Sequence, residues 1–276
     1  MRVVLFCDME GVCGIQSWEQ TGGSSPLYQE GRELYTEEVN AAVRGCLAGG
    51  AASVVAQDGH GGAYPGGRAF MNWIPSLLAA GAEYVRGYRW SSYVEPLEKG
   101  ECDVIGFVGA HARAGLENAV LSHTVNADGW YSVSMNGQEI SESAIIAAIA
   151  GSFGVPVGAI AGDAAACDEL SAFLGSDIPC ARVKMGLGRY AVRMLAPVAA
   201  RALVEETFRT AMRSRERWAP PYTTRDTVVI RVELASPDRA RPMAEYEGVT
   251  LVGPRTVEVE GRTFYEAWRK LWRPWS

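Results

Sequence analysis

No stretch of this sequence is apolar for long enough to cross a bilayer. The longest run, Ala144–Ala150, falls well short of the roughly 20 residues required. Asp8 and Glu10 interrupt the apolar start where a secretory signal needs an uncharged segment. The expectation is a soluble, cytoplasmic protein with no membrane partner. Basic residues are the minority charge: 26 Lys and Arg against 32 Asp and Glu leave a net −6, and they form no stripe that could neutralise phosphates. That excludes nucleic acid as a partner. None of the six cysteines (Cys7, Cys13, Cys46, Cys102, Cys167, Cys180) has CxxC spacing, so they read as free buried thiols rather than a disulfide framework. Histidine is scarce as well. Only His60, His111 and His123 are available for chemistry that needs imidazole.

What is present is an apolar fraction of 48% over 276 residues, enough for a sizeable core in one large domain or two unequal ones. Arg2–Cys7 is a short β-branched run that stops at Asp8, and Ser53–Ala56 and Val104–Val108 repeat the pattern, each strand leading into a polar loop. Helical spacing of apolar residues covers Tyr28–Leu47, closed by Gly49 and Gly50, and helices are also expected over Glu142–Phe153, Ala164–Leu174 and Pro197–Arg217. Alternating strands and helices with fully apolar strands predict an α/β fold, a mostly parallel sheet flanked by helices. The texture changes after about Gly188, so the expected division is a catalytic α/β domain over 1–190 and a smaller C-terminal α+β domain over 191–276. The latter is expected to carry subunit contacts. Trp268, Trp272 and Trp275, spaced by four and three, fall on one face of a terminal helix suited to core or subunit packing.

In an open parallel sheet the functional loops gather at the carboxyl ends of the strands. After the first strand come Asp8 and Glu10, after the second Asp58 and His60, after the third His111. Carboxylates and imidazoles converging on one sheet edge are the ligand mixture of zinc or a similar divalent ion. A cation there also explains how Asp8 and Glu10 tolerate each other, since close like charges otherwise raise one pKa. His123 follows twelve residues after His111 and reads as a further ligand or a general acid or base. Beyond the Asn136-Gly137 turn, Glu139 and Glu142 are both candidates for another ligand.

The segments DMEG (Asp8–Gly11), YTEEVNAA (Tyr35–Ala42), QDGH (Gln57–His60), GAHAR (Gly109–Arg113), SHT (Ser122–Thr124), Asn136-Gly137 followed by Glu142, and AGD (Ala161–Asp163) occupy roughly the first two thirds of the chain. In that order they resemble the zinc D-aminopeptidases of the DppA type, the M55 metallopeptidases. The resemblance implies that Asp8 bridges two zinc ions and that Glu10, His60, His111 and Glu142 complete their ligand sets, with Glu142 preferred to Glu139. It implies that His123 is a catalytic histidine outside the ligand set, and that the chain forms a homo-oligomer, a decamer of paired rings. Two four-coordinate zinc ions take eight bonds: two from a bridging Asp8, four from the other ligands and two from a shared water.

The implied activity is a dizinc aminopeptidase or amidohydrolase releasing the N-terminal residue, D-configured in this family, from short peptides with water activated by the metal pair. Two alternatives share the ligand mixture: a dizinc amidohydrolase acting on a modified amino-acid amide, and a dimetal phosphatase. The second lacks a glycine-rich phosphate loop and a basic cluster. The loops Gln16–Gly31 and Gly61–Gly67 border the site with compositions of their own, which makes substrate preference the least transferable property.

Overall fold

Six residues with almost no polar surface, Arg2–Cys7, form β1, and five of them are buried. A strand hidden on both faces belongs in the middle of a parallel sheet. In the computed structural model, which describes residues 1–61, 70–87, 92–224 and 227–272, β1 pairs in parallel with two neighbours. The strands in chain order are β1, β2 (Ser53–Asp58), β3 (Glu83–Val85), β4 (Val104–Ala110), β5 (Trp130–Met135), β6 (Gln138–Glu139), β7 (Val157–Asp163), β8 (Cys180–Gly188), β9 (Ala191–Met194), β10 (Val228–Leu234), β11 (Thr250–Gly253) and β12 (Thr256–Gly261). The helices are α1 (Pro26–Ala48), α2 (Glu95–Glu98), α3 (Glu142–Ser152), α4 (Ala164–Leu174), α5 (Pro197–Arg213), α6 (Pro237–Ala244) and α7 (Phe264–Leu271).

Two sheets result. Among the described residues the first runs β3-β2-β1-β4-β7-β8-β9, all parallel except the β9 edge, and the second runs β11-β12-β10-β5-β6, all antiparallel. The chain leaves β1 towards β2 and β3 and returns on its other side as β4. The boundary between β1 and β4 is therefore the switch point of the parallel sheet, where open α/β sheets leave a crevice beyond their carboxyl ends. Helices α1 and α5 cover one face through Val39, Val43, Val204 and Phe208. On the other face α3 is wedged between the sheets, and Phe107, Ile145, Val133, Ile230, Val259 and Trp268 belong to one continuous core.

The two layers do not divide the sequence at residue 190. Strand β9 and helix α5 belong to the parallel layer, with β9 paired to β8 and α5 packed on α1, while β5 and β6 from mid-chain join the antiparallel sheet of β10–β12. The reason lies in β5, whose residues alternate between buried and partly exposed, so it fits a sheet with one wet face and not a doubly covered one. Helix α5 ends at Arg213, and the expected continuation to Arg217 is a separate 3-10 turn. Helix α7 ends at Leu271. Trp268 is 5% exposed and packs against Trp130, Phe264 and Trp272, which makes it core; Trp275 lies outside the described residues. All six cysteines are free, five of them buried.

At the switch point the loop after β1 lies directly on the end of β4. Asp8 N donates to Val108 O and Gly11 N to Gly109 O, both at 2.8 Å. A Cβ on Gly11 would sit 1.9 Å from Ala110 O, and one on Gly109, which has φ +71°, would sit 2.0 Å from Asp8 O. Backbone meets backbone here with no room for a side chain. Gly109→Ala should destabilise the protein by about 1–3 kcal/mol from overpacking, beyond the roughly 1 kcal/mol that its left-handed conformation costs any non-glycine residue. Gly115→Ala, at φ +78° with open space around it, should show only the conformational part. Denaturant midpoints of the two variants measure the difference.

Candidate metal centre

Asp8 is the first residue beyond β1, and its two carboxylate oxygens face opposite ways. Oδ1 lies 3.0 Å from His60 Nδ1, and Oδ2 lies 3.4 Å from His111 Nε2. His60 follows β2 and His111 follows β4, so three adjacent strand ends deliver an imidazole, a carboxylate and an imidazole in spatial order. Glu10 Oε2 adds a second carboxylate 3.0 Å from His60 Nδ1. On the other side Glu142, the first residue of α3 after its cap Ser141, brings Oε1 to 3.4 Å from His111 Nε2. The structure thus gathers all five candidate ligands and His123, whose Nε2 is 3.6 Å from Glu142 Oε1.

Glu139 is not among them. It points to Arg113, 2.7 Å away, at the surface. Of the neighbouring loops, Gly62–Gly67 falls outside the described residues, whereas the segment after Gln16 contributes Thr21 directly to the site.

Each histidine has one nitrogen committed to a backbone carbonyl. His60 Nε2 meets Thr21 O at 2.7 Å, His111 Nδ1 meets Ala112 O at 3.0 Å, and His123 Nδ1 meets Leu121 O at 2.9 Å. A carbonyl only accepts, so that nitrogen carries the proton, and a neutral ring turns its lone pair on the other nitrogen towards the carboxylates. Lone pairs facing carboxylate oxygens repel unless a cation lies between them. Protonation is one way to supply it: although burial opposes the charge, the Glu10 and Asp8 carboxylates push His60 well above the usual imidazole range, and Glu142 and Asp8 do the same to His111. Burial works against ionisation of Asp8 too, but His111 and His60 hold it well below the usual carboxylate range. A divalent ion is the other way.

The donor chemistry fits zinc. Glu10 Oε2 and His111 Nε2 are buried and make no hydrogen bond among the described residues. The facing donor atoms are 3.0–3.6 Å apart, close to the edge of a tetrahedron built on zinc bonds of about 2.0–2.1 Å. Candidate ligand atoms form two groups, each lying within 4.8 Å: Asp8, Glu10 and His60, and His111, His123 and Glu142.

Support for these groups comes from residues with less visible sequence signals. Asp58, fully buried, accepts from Asn72 N at 2.8 Å, from His60 N at 3.3 Å and from the Tyr35 hydroxyl at 3.2 Å, fixing the His60 loop. Glu142 Oε1 accepts from Val125 N at 2.7 Å. His123 sits between Leu121 (φ +48°) and Val125 (φ +65°), two non-glycine residues in the left-handed region where a β-branched side chain is an outlier. Asp163 of the AGD segment caps α4 and accepts from Val120 N at 2.9 Å, tying down that strained stretch. The His123 ring is stacked on His111 at 4.2 Å and meets the edge of Trp18 at 5.4 Å.

The centre opens into a cavity of about 1040 Å³ that runs towards α7, past Tyr93, Ile146, Trp268 and Trp272. The Asp8, Glu142 and His123 side chains are 20%, 29% and 12% exposed, against 1–8% for His111, Glu10 and His60, so the accessible side of the centre is the one that faces this cavity.

Comparison with known proteins gives matches over nearly the whole chain. Residues 1–272 match the M55 peptidase family, described as D-aminopeptidase. A D-aminopeptidase of Bacillus subtilis (strain 168) is 27% identical over 273 residues, covering 98% of this chain and 95% of the relative. Among solved structures, the Zn-dependent D-aminopeptidase DppA from Bacillus subtilis, described as a self-compartmentalizing protease, superposes with a TM-score of 0.84 at 25% identity, covering 98% of this chain and 95% of that one.

Proposed function

This chain belongs to the M55 family of D-aminopeptidases and is a metal-dependent hydrolase, and from that premise we propose that it uses two zinc ions to release the N-terminal residue, D-configured as in its relatives, from short peptides. The observation that carries the two-ion reading is the divided Asp8 carboxylate. One oxygen faces the group of His60 and Glu10, the other faces the group of His111 and Glu142. Asp8 would be shared between the two ions, with Glu10 and His60 holding one and His111 and Glu142 holding the other. Two doubly charged ions against three carboxylates leave a small positive excess.

When bound, the zinc pair supplies an acidified water and polarises the scissile carbonyl. The chain's own groups do the remainder. His123 is the acid and base, because its Nδ1 proton is held by Leu121 O and only Nε2 is free to exchange a proton on the open side. The His111 stack and the Trp18 edge restrict that ring to one orientation. Nε2 would take the proton released by the attacking water and pass it to the departing amine as the carbon–nitrogen bond breaks. The self-compartmentalizing relative supports assembly of this chain into a closed homo-oligomer, a decamer in our reading, which would admit short peptides and exclude folded proteins.

Purified protein should carry close to two zinc ions per chain by elemental analysis and lose activity on chelation. Asp8→Ala should be the most damaging ligand change because it takes a bond from each ion. Active enzyme with one ion or none would refute the two-ion reading.

His123→Ala should keep both ions and the fold while losing about 10²–10⁴-fold in turnover. Parent-like turnover, or loss of metal, would show that the histidine has another role.

The substrate reading is tested with matched D-alanyl, L-alanyl and N-acetylated amides. Free-amine D substrates should react fastest. Equal rates on acetylated and free-amine members would remove the aminopeptidase assignment and leave an amidohydrolase.

A further inference from the structure

Lys184 stands in the middle of β8, 3% exposed, with its ammonium turned under the loop that carries the first two candidate ligands. Nζ donates to three backbone carbonyls of that loop: Glu10 O at 2.5 Å, Val12 O at 2.9 Å and Ile15 O at 2.5 Å. All three ammonium donors are therefore used, and every residue from Met9 to Ile15 is buried around them. Three carbonyl dipoles converging on one point repel one another unless a cation occupies it. The loop closes round a cation from its own chain. Further fastenings in this stretch are Gly11 N to Gly109 O at 2.8 Å, Glu38 of α1, whose Oε2 accepts from Cys13 N at 3.1 Å, and Gln20 Nε2, which donates to Gly14 O at 2.8 Å.

Asp8 and Glu10 differ in how they are held. Asp8 is fixed by the strand ends, since its N–H donates to Val108 O and the glycine contact at Gly109 allows no slack. Glu10 lies between two points of that clamp, since Gly11 N also donates to Gly109 O, and its carbonyl faces away from β4 towards Lys184. Its carboxylate Oε2 faces His60 Nδ1 at 3.0 Å, and the peptide that follows it is held from both sides, Gly11 N by Gly109 O and Glu10 O by Lys184.

We propose that Lys184 is a positioning residue for the metal centre, which sets the backbone of Glu10 and so completes the zinc position formed by Asp8, Glu10 and His60 without touching metal or substrate. The proposal rests on the two-zinc reading above. Its effect is confined to one of the two positions, because no ammonium contact reaches the segments that carry His111 or Glu142. A group that orients a ligand from behind typically alters metal affinity by roughly 10–100-fold.

The test is a zinc titration against a chelator of known affinity, read as stoichiometry and affinity rather than turnover, on the parent, Lys184→Met, Glu10→Ala and the double variant. The parent should bind two ions. Lys184→Met should bind one as the parent does and the second at least about tenfold more weakly. Glu10→Ala should lose the same position, and adding Lys184→Met to it should cause no further loss, because both changes act through one ligand. A general weakening of the fold would instead lower both positions and multiply with Glu10→Ala.

Should Lys184→Met fail to fold by circular dichroism, Lys184→Arg carries the test. Its planar fork keeps the charge but cannot reproduce a threefold ammonium contact, and it should show a smaller loss at the same position only. Two parent-like zinc positions in a folded Lys184 variant, or multiplying losses in the double variant, overturn the assignment of Lys184 alone. A parent that binds a single zinc overturns the two-zinc reading and this assignment with it.

Discussion

The placing of one carboxylate between two imidazoles governs the rest of this molecule. Asp8 reaches His60 with one oxygen and His111 with the other, which is possible only if three neighbouring parallel strands end level and their loops begin within a few ångströms of one another. Strand β1 must be central, buried on both faces and free of bulky polar groups where it nears the centre, as its residues 3–7 are. The loop after it must touch the end of β4, which two glycines permit. Burial that would penalise five polar side chains becomes tolerable because each is neutralised by a neighbour of opposite character or awaits a cation.

Much of this arrangement is legible in the sequence, for a physical reason. Apolar strands followed at once by Asp, His or His announce both the sheet and the edge where chemistry gathers, and the scarcity of histidine leaves few alternatives. Glu142 is less legible. Read alone it is an acidic residue in a helix first turn, and only the family resemblance separates it from Glu139, which the structure ties to Arg113. The supports are nearly invisible, because a carbonyl such as Thr21 O or Leu121 O carries no residue-type signal and Asn72 lies in an unremarkable loop. Lys184 left a fainter trace, a cation at a buried position in a strand that also carries the exposed Arg182.

The layer boundary escaped the sequence for a different reason. Composition shifts after Gly188, yet the sheets exchange strands on either side of that point: β9 and α5 stay with the parallel layer, and β5 and β6 leave it. Strand alternation shows that a segment has one wet face, but not which distant segment it will pair with. The segments that carry the family resemblance likewise mix two duties. In YTEEVNAA, Tyr35 braces Asp58, Glu38 holds Cys13, and Asn40 binds Leu77 O and Ala79 N, so this helix contributes no ligand and steadies the loops that do.

The interleaving of the two sheets has a consequence for how the chain is made. Synthesis runs from the amino end and delivers Asp8, Glu10, His60, His111, His123 and Glu142 well before Val228. The strand β5 that leads into Glu142 has its main partner in Val228–Leu234, and that partner emerges from the ribosome much later. Until then β5 offers an unpaired edge, a slow and non-local pairing to complete. A nascent chain can thus assemble the β1, β2 and β4 side of the centre early, while the Glu142 side gains its brace only once Val228–Leu234 has been made.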